Sequence, residues 1–189
     1  LRTGGGGSSS GGGSSSGGAS SSAKSSSGGP GVPNVTMAEE PVPKSGLAAE
    51  GLPDYVVSGT WTMDDAGRWS FSDGKRISAG EWAAVWNPYA DPAAGQKEFD
   101  WFRFDGMGFL VCGWYTDPDG STYYLNPRPD GTKGRMFTGW NWIRDDEGNE
   151  FCFYFNEKSD GTRGALWHGG RTPDGYETDS RGRWIEKDG

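Results

Sequence analysis

Short runs of aromatic residues, each bounded by turn-forming residues, cover the chain from Tyr55 to Trp184. Runs such as Trp101-Phe102-Arg103-Phe104 and Phe151-Cys152-Phe153-Tyr154-Phe155 favour extended backbone. The segments between them, such as Asp117-Pro118-Asp119-Gly120, contain residues that accept positive φ or pre-set a bend. No window has the 3.6-residue apolar period of an amphipathic helix. The pattern predicts a series of β-hairpins, roughly one every 20 to 30 residues.

The same residues recur at fixed distances along the aromatic part of the chain. Gly113-Trp114 recurs as Gly139-Trp140, and the segment 130–134 (DGTKG) recurs as 160–164 (DGTRG). A single hairpin is marginally stable in water, so repeated hairpins must stack and bury their aromatic side chains between neighbours. We therefore expect an all-β fold, a tandem β-hairpin solenoid.

The first third of the chain has a different composition. All Phe, Trp and Tyr residues follow residue 54, and residues 1–32 are almost entirely Gly and Ser. Such a segment buries too little to offset its chain entropy. We predict a disordered Gly/Ser/Pro-rich linker over residues 1–54 and a repeat domain over 55–189, with a degenerate terminal unit at about 171–189. Since the chain begins at Leu1, we also expect it to be a fragment or processed product of a longer protein.

Charge and residue inventory exclude several classes of function. The formal net charge is −8, carried by the aromatic part, which argues against a nucleic-acid partner. No apolar run reaches the roughly 18 residues of a membrane span. Cys112, Cys152 and His168 are too few and too scattered for a zinc site or a catalytic triad. The Asp-rich turns lack the ligand spacing of a calcium loop. We expect no metal, no cofactor, no catalytic residue and two free thiols.

One family carries the same motifs. The sequence from Gly113-Trp114 through Tyr123-Tyr124-Leu125-Asn126 to Phe137-Thr138-Gly139-Trp140 resembles a cell-wall-binding repeat of the choline-binding type, found in Gram-positive surface proteins. The resemblance covers about residues 59–170. It implies a left-handed β-solenoid in a secreted, cell-surface protein. It also implies a bacterial cell-wall polymer as partner, bound through teichoic acid choline or wall glycan. Its ligand cage consists of two tryptophans and an aromatic residue of the next hairpin, which suits a cation.

The resemblance also assigns candidate ligand-binding residues, which are Trp61, Trp69, Trp82, Trp101, Trp114, Tyr124, Trp140 and Tyr154. Only the pairs Trp61/Trp69 and Trp82/Trp101 keep both tryptophans of a cage, and an insertion from Asn87 to Phe99 separates the second pair. Tyr124 is the expected third wall of that second cage. At the other positions the family's tryptophan is replaced by Thr122, Cys152 and Gly170.

Three functions remain open from the sequence. The first is a non-catalytic attachment module that anchors a secreted protein to the bacterial envelope. The second is the C-terminal targeting part of a wall-hydrolysing amidase or glycosidase, with its catalytic domain outside this chain. The third is a structural stalk whose repeats have lost ligand binding. The bound polymer and the oligomeric state do not follow from the residues.

Overall fold

The computed structural model describes residues 24–26 and 53–186. In this part of the chain the regular structure consists of strands and one 3₁₀ turn, Pro92–Ala94. The strands are β1 Lys24–Ser26, β2 Val56–Val57, β3 Thr60–Met63, β4 Trp69–Ser72, β5 Trp82–Trp86, β6 Phe99–Arg103, β7 Gly113–Thr116, β8 Thr122–Leu125, β9 Gly139–Arg144, β10 Glu150–Phe155, β11 Gly170–Arg171, β12 Glu177–Thr178 and β13 Trp184–Ile185. The all-β expectation is confirmed.

Antiparallel pairs of consecutive strands form tandem hairpins, as the aromatic runs predict. We call them hairpin A (β3–β4), B (β5–β6), C (β7–β8), D (β9–β10) and E (β11–β12). Strand β13 adds to hairpin E, and β2 lies parallel to β5 at the edge of hairpin B. Each hairpin belongs to its own small sheet of two or three strands. The array is therefore held together by contacts between hairpins rather than by one continuous sheet.

The expected linker lies mostly outside the described residues. Within it, Lys24–Ser26 is a strand that pairs antiparallel with β3, with Ser25 opposite Thr62. The composition predicts coil here. Edge pairing uses backbone N–H and C=O groups, so it does not depend on an apolar sequence. The rest of the linker, and the boundary between the two proposed domains, stays a prediction.

The Asp-rich segments are tight turns with a repeated geometry. In the turn of hairpin D, one carboxylate oxygen of Asp145 accepts the backbone N–H groups of Glu147, at 3.0 Å, and Asn149, at 2.8 Å. Asp64 in hairpin A accepts from the corresponding positions. These hydrogen bonds are typical of Asx turns. Among the described residues no group of His, Cys, Asp and Glu side chains is placed to hold a metal ion.

Asparagine side chains close the longer DGT loops. Asn126 is almost fully buried, and its amide donates to the hydroxyl of Thr132 at 2.7 Å and to Asp130 at 3.0 Å. Asn156 makes the same two bonds one unit later, at 2.7 and 3.1 Å. A buried amide must be hydrogen-bonded to be stable, and here the loop itself provides the partners. The DGT loops are therefore tight turns closed by their own hydrogen bonds.

Successive hairpins approach each other most closely at glycine. Gly134 has φ +83°, and a Cβ placed there would lie 2.5 Å from the side chain of Leu110. Gly164 and Gly182 have the same relation to Met136 and Leu166. Because only glycine combines this positive φ with the close approach, each unit can stack on the one before it.

Three further predictions from the sequence concern the insertion in hairpin B, the two cysteines and membrane spans. The insertion from Asn87 to Phe99 lies at the loop end of hairpin B, beyond the Trp86–Phe99 pair, and contains the 3₁₀ turn. Cys112 and Cys152 are free, with Cys152 buried, as expected. No helix in the described ranges is long and apolar enough to span a membrane.

Candidate ligand-binding site between the hairpins

One aromatic contact recurs at three consecutive interfaces. The tryptophan that opens each hairpin packs on the aromatic residue at an aligned position in the return strand of the next hairpin. The ring centroids are 5.0 Å apart for Trp61 and Phe102, 4.8 Å for Trp82 and Tyr123, and 5.1 Å for Trp114 and Phe153. Edge-to-face pairs at these distances stabilise the array beyond the area they bury. One side of each tryptophan ring thus packs in the structure. Whether a ligand can reach the ring depends on which residues cover its other side.

Between hairpins A and B the other edge is covered. Trp61 is 2% exposed, and Trp69 packs against it at a centroid distance of 6.4 Å. Leu110 closes this interface and donates its backbone N–H to the carbonyl of Trp69 at 2.7 Å. The candidate pair Trp61/Trp69 therefore lies within a hydrophobic core.

Between hairpins C and D the corresponding space is open. Trp114 is 46% exposed and lines a cavity of about 670 Å³. Thr122 stands where hairpin A has Trp69, and Leu166 donates its backbone N–H to the Thr122 carbonyl at 2.7 Å. Phe151 and Phe153 form the wall that belongs to hairpin D. The cavity opens widely to solvent, and its volume lies within the range of small-ligand sites.

Charged side chains surround this aromatic cavity. The turn of hairpin D contributes Asp145, Asp146 and Glu147, and Arg181 and Arg183 approach from the segment between β12 and β13. The side chain of Asn149 donates to Asp145 at 3.1 Å. That bond, together with backbone N–H groups of the turn, holds the pKa of Asp145 below its usual value, so this carboxylate is ionised at neutral pH. The cavity thus presents aromatic faces beside negative charge.

The rings of the expected cage, Trp82, Trp101 and Tyr124, each have other aromatic neighbours. Trp82 contacts Tyr115 and Tyr123, and its indole N–H donates to Asp117 at 3.1 Å. Tyr124 lies opposite Trp114 in hairpin C, at a centroid distance of 4.9 Å. The strand register pairs each opening tryptophan with one residue of its own return strand, which is Tyr124 for Trp114 but Arg103 for Trp82.

Trp101 borders a second, smaller space. It stacks on Tyr55 at 5.8 Å and lines a cavity of about 290 Å³ with Met136 and Asp100. Burial raises the pKa of Asp100 to about 6, against the attraction of cations such as Arg135 and Lys97. The candidate pair Trp82/Trp101 is therefore divided between an aromatic contact with hairpin C and this polar cavity.

The last two hairpins carry an aromatic strip on their surface. Trp140 contacts Tyr154 of its own hairpin at 5.2 Å and Tyr176 of hairpin E at 5.7 Å, and its indole N–H donates to Asp174 at 2.7 Å. The row continues through Trp184 to Trp142. Trp167 also lies beside Tyr154. We call this set of six residues the terminal aromatic strip: Trp140, Trp142, Tyr154, Trp167, Tyr176 and Trp184. Trp142 is 58% and Tyr176 52% exposed, so the strip is accessible to a ligand.

Several residues of these sites are absent from the candidates that the sequence supplies. The structure adds Phe151, Phe153, Leu166 and Arg183 to the cavity, and Trp142, Tyr176 and Trp184 to the strip. A signal for Phe153 existed, since it aligns with Tyr123 on the 30-residue spacing of the repeats. No comparable signal exists for Arg183, because hairpin E departs from the repeat.

Solved structures with a similar fold include a choline binding protein and an endolysin. Choline binding protein F from Streptococcus pneumoniae, in the presence of a peptidoglycan analogue, is 24% identical, over 68% of this chain and 44% of its own, with a TM-score of 0.35. The modular Cpl-1 endolysin, complexed with a peptidoglycan analogue, is 23% identical, over 80% of this chain and 35% of its own, with a TM-score of 0.43. This chain spans less than half of either protein. No family model and no curated protein sequence matches it.

Proposed function

We propose that this chain is a non-catalytic module that binds a bacterial cell-wall polymer and so anchors a secreted protein to the envelope. The observation that carries the proposal is the cavity between hairpins C and D, where aromatic walls meet a carboxylate rim and Trp114 is exposed. In a purely structural stalk we would expect this tryptophan to be covered, as Trp61 is. The accessible indole favours a binding role.

A quaternary ammonium group, such as the choline of a teichoic acid, suits this cavity. The group has no hydrogen-bond donor, so it binds through aromatic faces and nearby negative charge. Trp114 and Phe153 supply the faces, and Asp145 supplies the charge. Each ring contact contributes roughly 0.5–2 kcal/mol, which gives weak binding at one site. A polymer that carries many such groups gains avidity from tethering.

Calorimetric titration with choline chloride tests this assignment. We expect Trp114→Ala to lower the affinity at least tenfold. Trp142→Ala, which truncates another exposed tryptophan outside the cavity, is the matched control and should bind choline like the parent protein. Near-ultraviolet circular dichroism of each variant establishes that it is folded. A folded Trp114→Ala protein with unchanged affinity would contradict the assignment.

Stacking on the sugar rings of wall glycan is a second candidate function, favoured by the terminal aromatic strip. Exposed indole rings stack on the apolar faces of sugars, and the carboxylate of Asp174 beside Trp140 can accept from hydroxyl groups. Sedimentation with purified peptidoglycan that lacks choline separates the two functions. We expect Trp142→Ala to lose binding in this assay and Trp114→Ala to keep it, the reverse of the choline result. Equal loss in both variants would contradict two separate sites.

Either binding mode is compatible with a place in a wall-hydrolysing enzyme whose catalytic domain lies outside this chain. The proposal of a non-catalytic module is tested by incubating the chain with dye-labelled cell walls. We expect no release of soluble dye, with a wall amidase as the positive control. Release above the background of heat-denatured protein would overturn the proposal.

A further inference from the structure

A guanidinium of the chain already occupies one aromatic wall of the cavity between hairpins C and D. The Cζ atom of Arg183 lies 4.7 Å from the ring centroid of Phe151, within cation–π range. The Nε of Arg183 donates to Asp179 at 3.1 Å, and the side chain is 30% exposed. Both Arg183 and Phe151 line the cavity. An incoming cation therefore meets a positive charge that is fixed in place.

The carboxylate of Asp179 holds the guanidinium of Arg183 in place. Burial acts to raise the pKa of this carboxyl, but the backbone N–H groups of Arg183 and Arg181 and the positive charge of Arg183 outweigh it, so the pKa is below its usual value. Asp179 thus stays ionised and holds the guanidinium in its turn. The backbone of Arg183 is held independently through a bridge to Phe153. Replacing the side chain therefore leaves the strand contacts of this segment intact.

Arginine lies on an aromatic ring at two other places in the array. The Cζ of Arg68 is 3.9 Å from the ring centroid of Phe109, and that of Arg103 is 5.0 Å from Tyr115. Arg103 stands opposite Trp82, where the next two hairpins place Tyr124 and Tyr154 opposite their tryptophans. Neither arginine lines the large cavity, so only Arg183 among the three can affect a ligand there.

We propose that Arg183 is a specificity-determining residue of this cavity, where it acts as an intramolecular cation that competes with a cationic ligand. This inference rests on the proposed function of the cavity. Arg183 covers the Phe151 face and offsets the negative charge of the rim, and both effects lower the affinity for a quaternary ammonium group. A neutral ligand of the same shape does not experience the repulsion. Arg183 therefore reduces the ratio of the cavity's affinity for a cationic ligand to its affinity for a neutral ligand of the same shape.

The test compares choline with 3,3-dimethyl-1-butanol, a neutral molecule of the same shape. We expect Arg183→Gln to raise the affinity for choline about three- to tenfold, as one cation–π contact implies, and to change that for the alcohol less than twofold. A merely structural role would shift both affinities together. Arg103→Gln removes an arginine from an aromatic ring outside the cavity and is the matched control, with no change expected for either molecule.

The outcomes separate this inference from the proposed function. Equal choline affinities in the parent and Arg183→Gln proteins, or a weaker affinity in the variant, would overturn the role of Arg183 and leave the choline site standing. Absence of choline binding in both proteins would overturn the site itself and the inference with it. Arg181→Gln removes a rim charge that lies on no ring, and an increase as large as that of Arg183→Gln would replace the cation–π explanation with simple charge repulsion.

Discussion

The interface between hairpins A and B and the interface between hairpins C and D have the same backbone framework. They differ in the exposure of the opening tryptophan to solvent. The opening tryptophan packs on the next hairpin at 5.0 Å in one and 5.1 Å in the other. A leucine N–H meets the first residue of the return strand at 2.7 Å in both. Yet Trp61 is 2% exposed and Trp114 is 46% exposed. Aligned residues in one repeat array thus form a core at one place and a cavity at another.

The residue that makes the difference is the first of the return strand. Trp69 fills the space beside Trp61, while Thr122 leaves the equivalent space beside Trp114 empty. Because the surrounding hairpins are held by their own turns and backbone hydrogen bonds, the space does not collapse when the side chain is small. The comparison shows how a repeat array can replace a packed core with an open cavity at a single position.

The largest expected effect is on stability. Trp61→Ala should lower the free energy of unfolding by about 3–5 kcal/mol, because it removes a buried ring from the core. Trp114→Ala should cost only about 1–2 kcal/mol, because roughly half of its surface is already in water. Urea unfolding followed by circular dichroism measures both values. Equal losses would show that the two interfaces do not differ in packing as described.

Both interfaces depend on a glycine contact with their leucine. We expect Gly134→Ala, against Leu110, and Gly182→Ala, against Leu166, each to destabilise the protein by about 1–3 kcal/mol, since the new Cβ meets the leucine and φ is positive. The same urea series measures them. Gly120→Ala, which also has positive φ but meets no atom, is the control for the backbone effect alone. If Gly134→Ala equals that control, the close approach is not what requires glycine.

Filling the cavity should convert the open interface into the closed one. Thr122→Trp places in hairpin C the residue that hairpin A has as Trp69, and we expect choline affinity to fall at least tenfold with stability unchanged or raised. Calorimetry and urea unfolding of the same preparation measure the two effects. Thr116→Trp, on the opposite strand and outside the cavity, controls for an added indole. Undiminished binding in a folded Thr122→Trp protein would place the ligand elsewhere.

The sequence predicted the units of the fold better than the relations between them. Asp-x-x-Gly turns and aromatic runs are local signals, so the hairpins and their spacing followed from them. The contact of Trp114 with Phe153 depends on how one hairpin is set on the next, which no local pattern encodes. The sequence placed Tyr124 in one predicted cage with Trp82 and Trp101, whereas the strand register places it opposite Trp114. Thr122 was identified as a departure from the family pattern, but not as the source of the open space.

The Asx turns of hairpins A and D also differ, and this gives the smallest expected effect. Asp64 in hairpin A forms an ion pair with Arg68 at 2.8 Å, whereas Asp145 in hairpin D has the neutral Asn149 at the same spacing. The negative charge of Asp145 is therefore left to attract a cation. We expect Asn149→Arg, which recreates the pair of hairpin A, to lower choline affinity about two- to threefold without changing stability, as exposed ion pairs contribute little.

The pH dependence of binding tests the same charge. Protonation of the Asp145 carboxylate would remove its attraction for the choline cation. The pKa of Asp145, however, is held below its ordinary value of 3.8, chiefly by the Asn149 side chain. Choline affinity should therefore stay constant as the pH falls from about 7 to about 5, and decrease only below the ordinary range of aspartate. Asp145→Asn should show a slightly lower affinity over the whole range, since its side chain carries no charge at any pH. If the affinity of the parent protein instead falls between pH 7 and pH 5, a group other than Asp145 supplies the negative charge. The contrast with the ion-paired turn of hairpin A would then not explain the cation site.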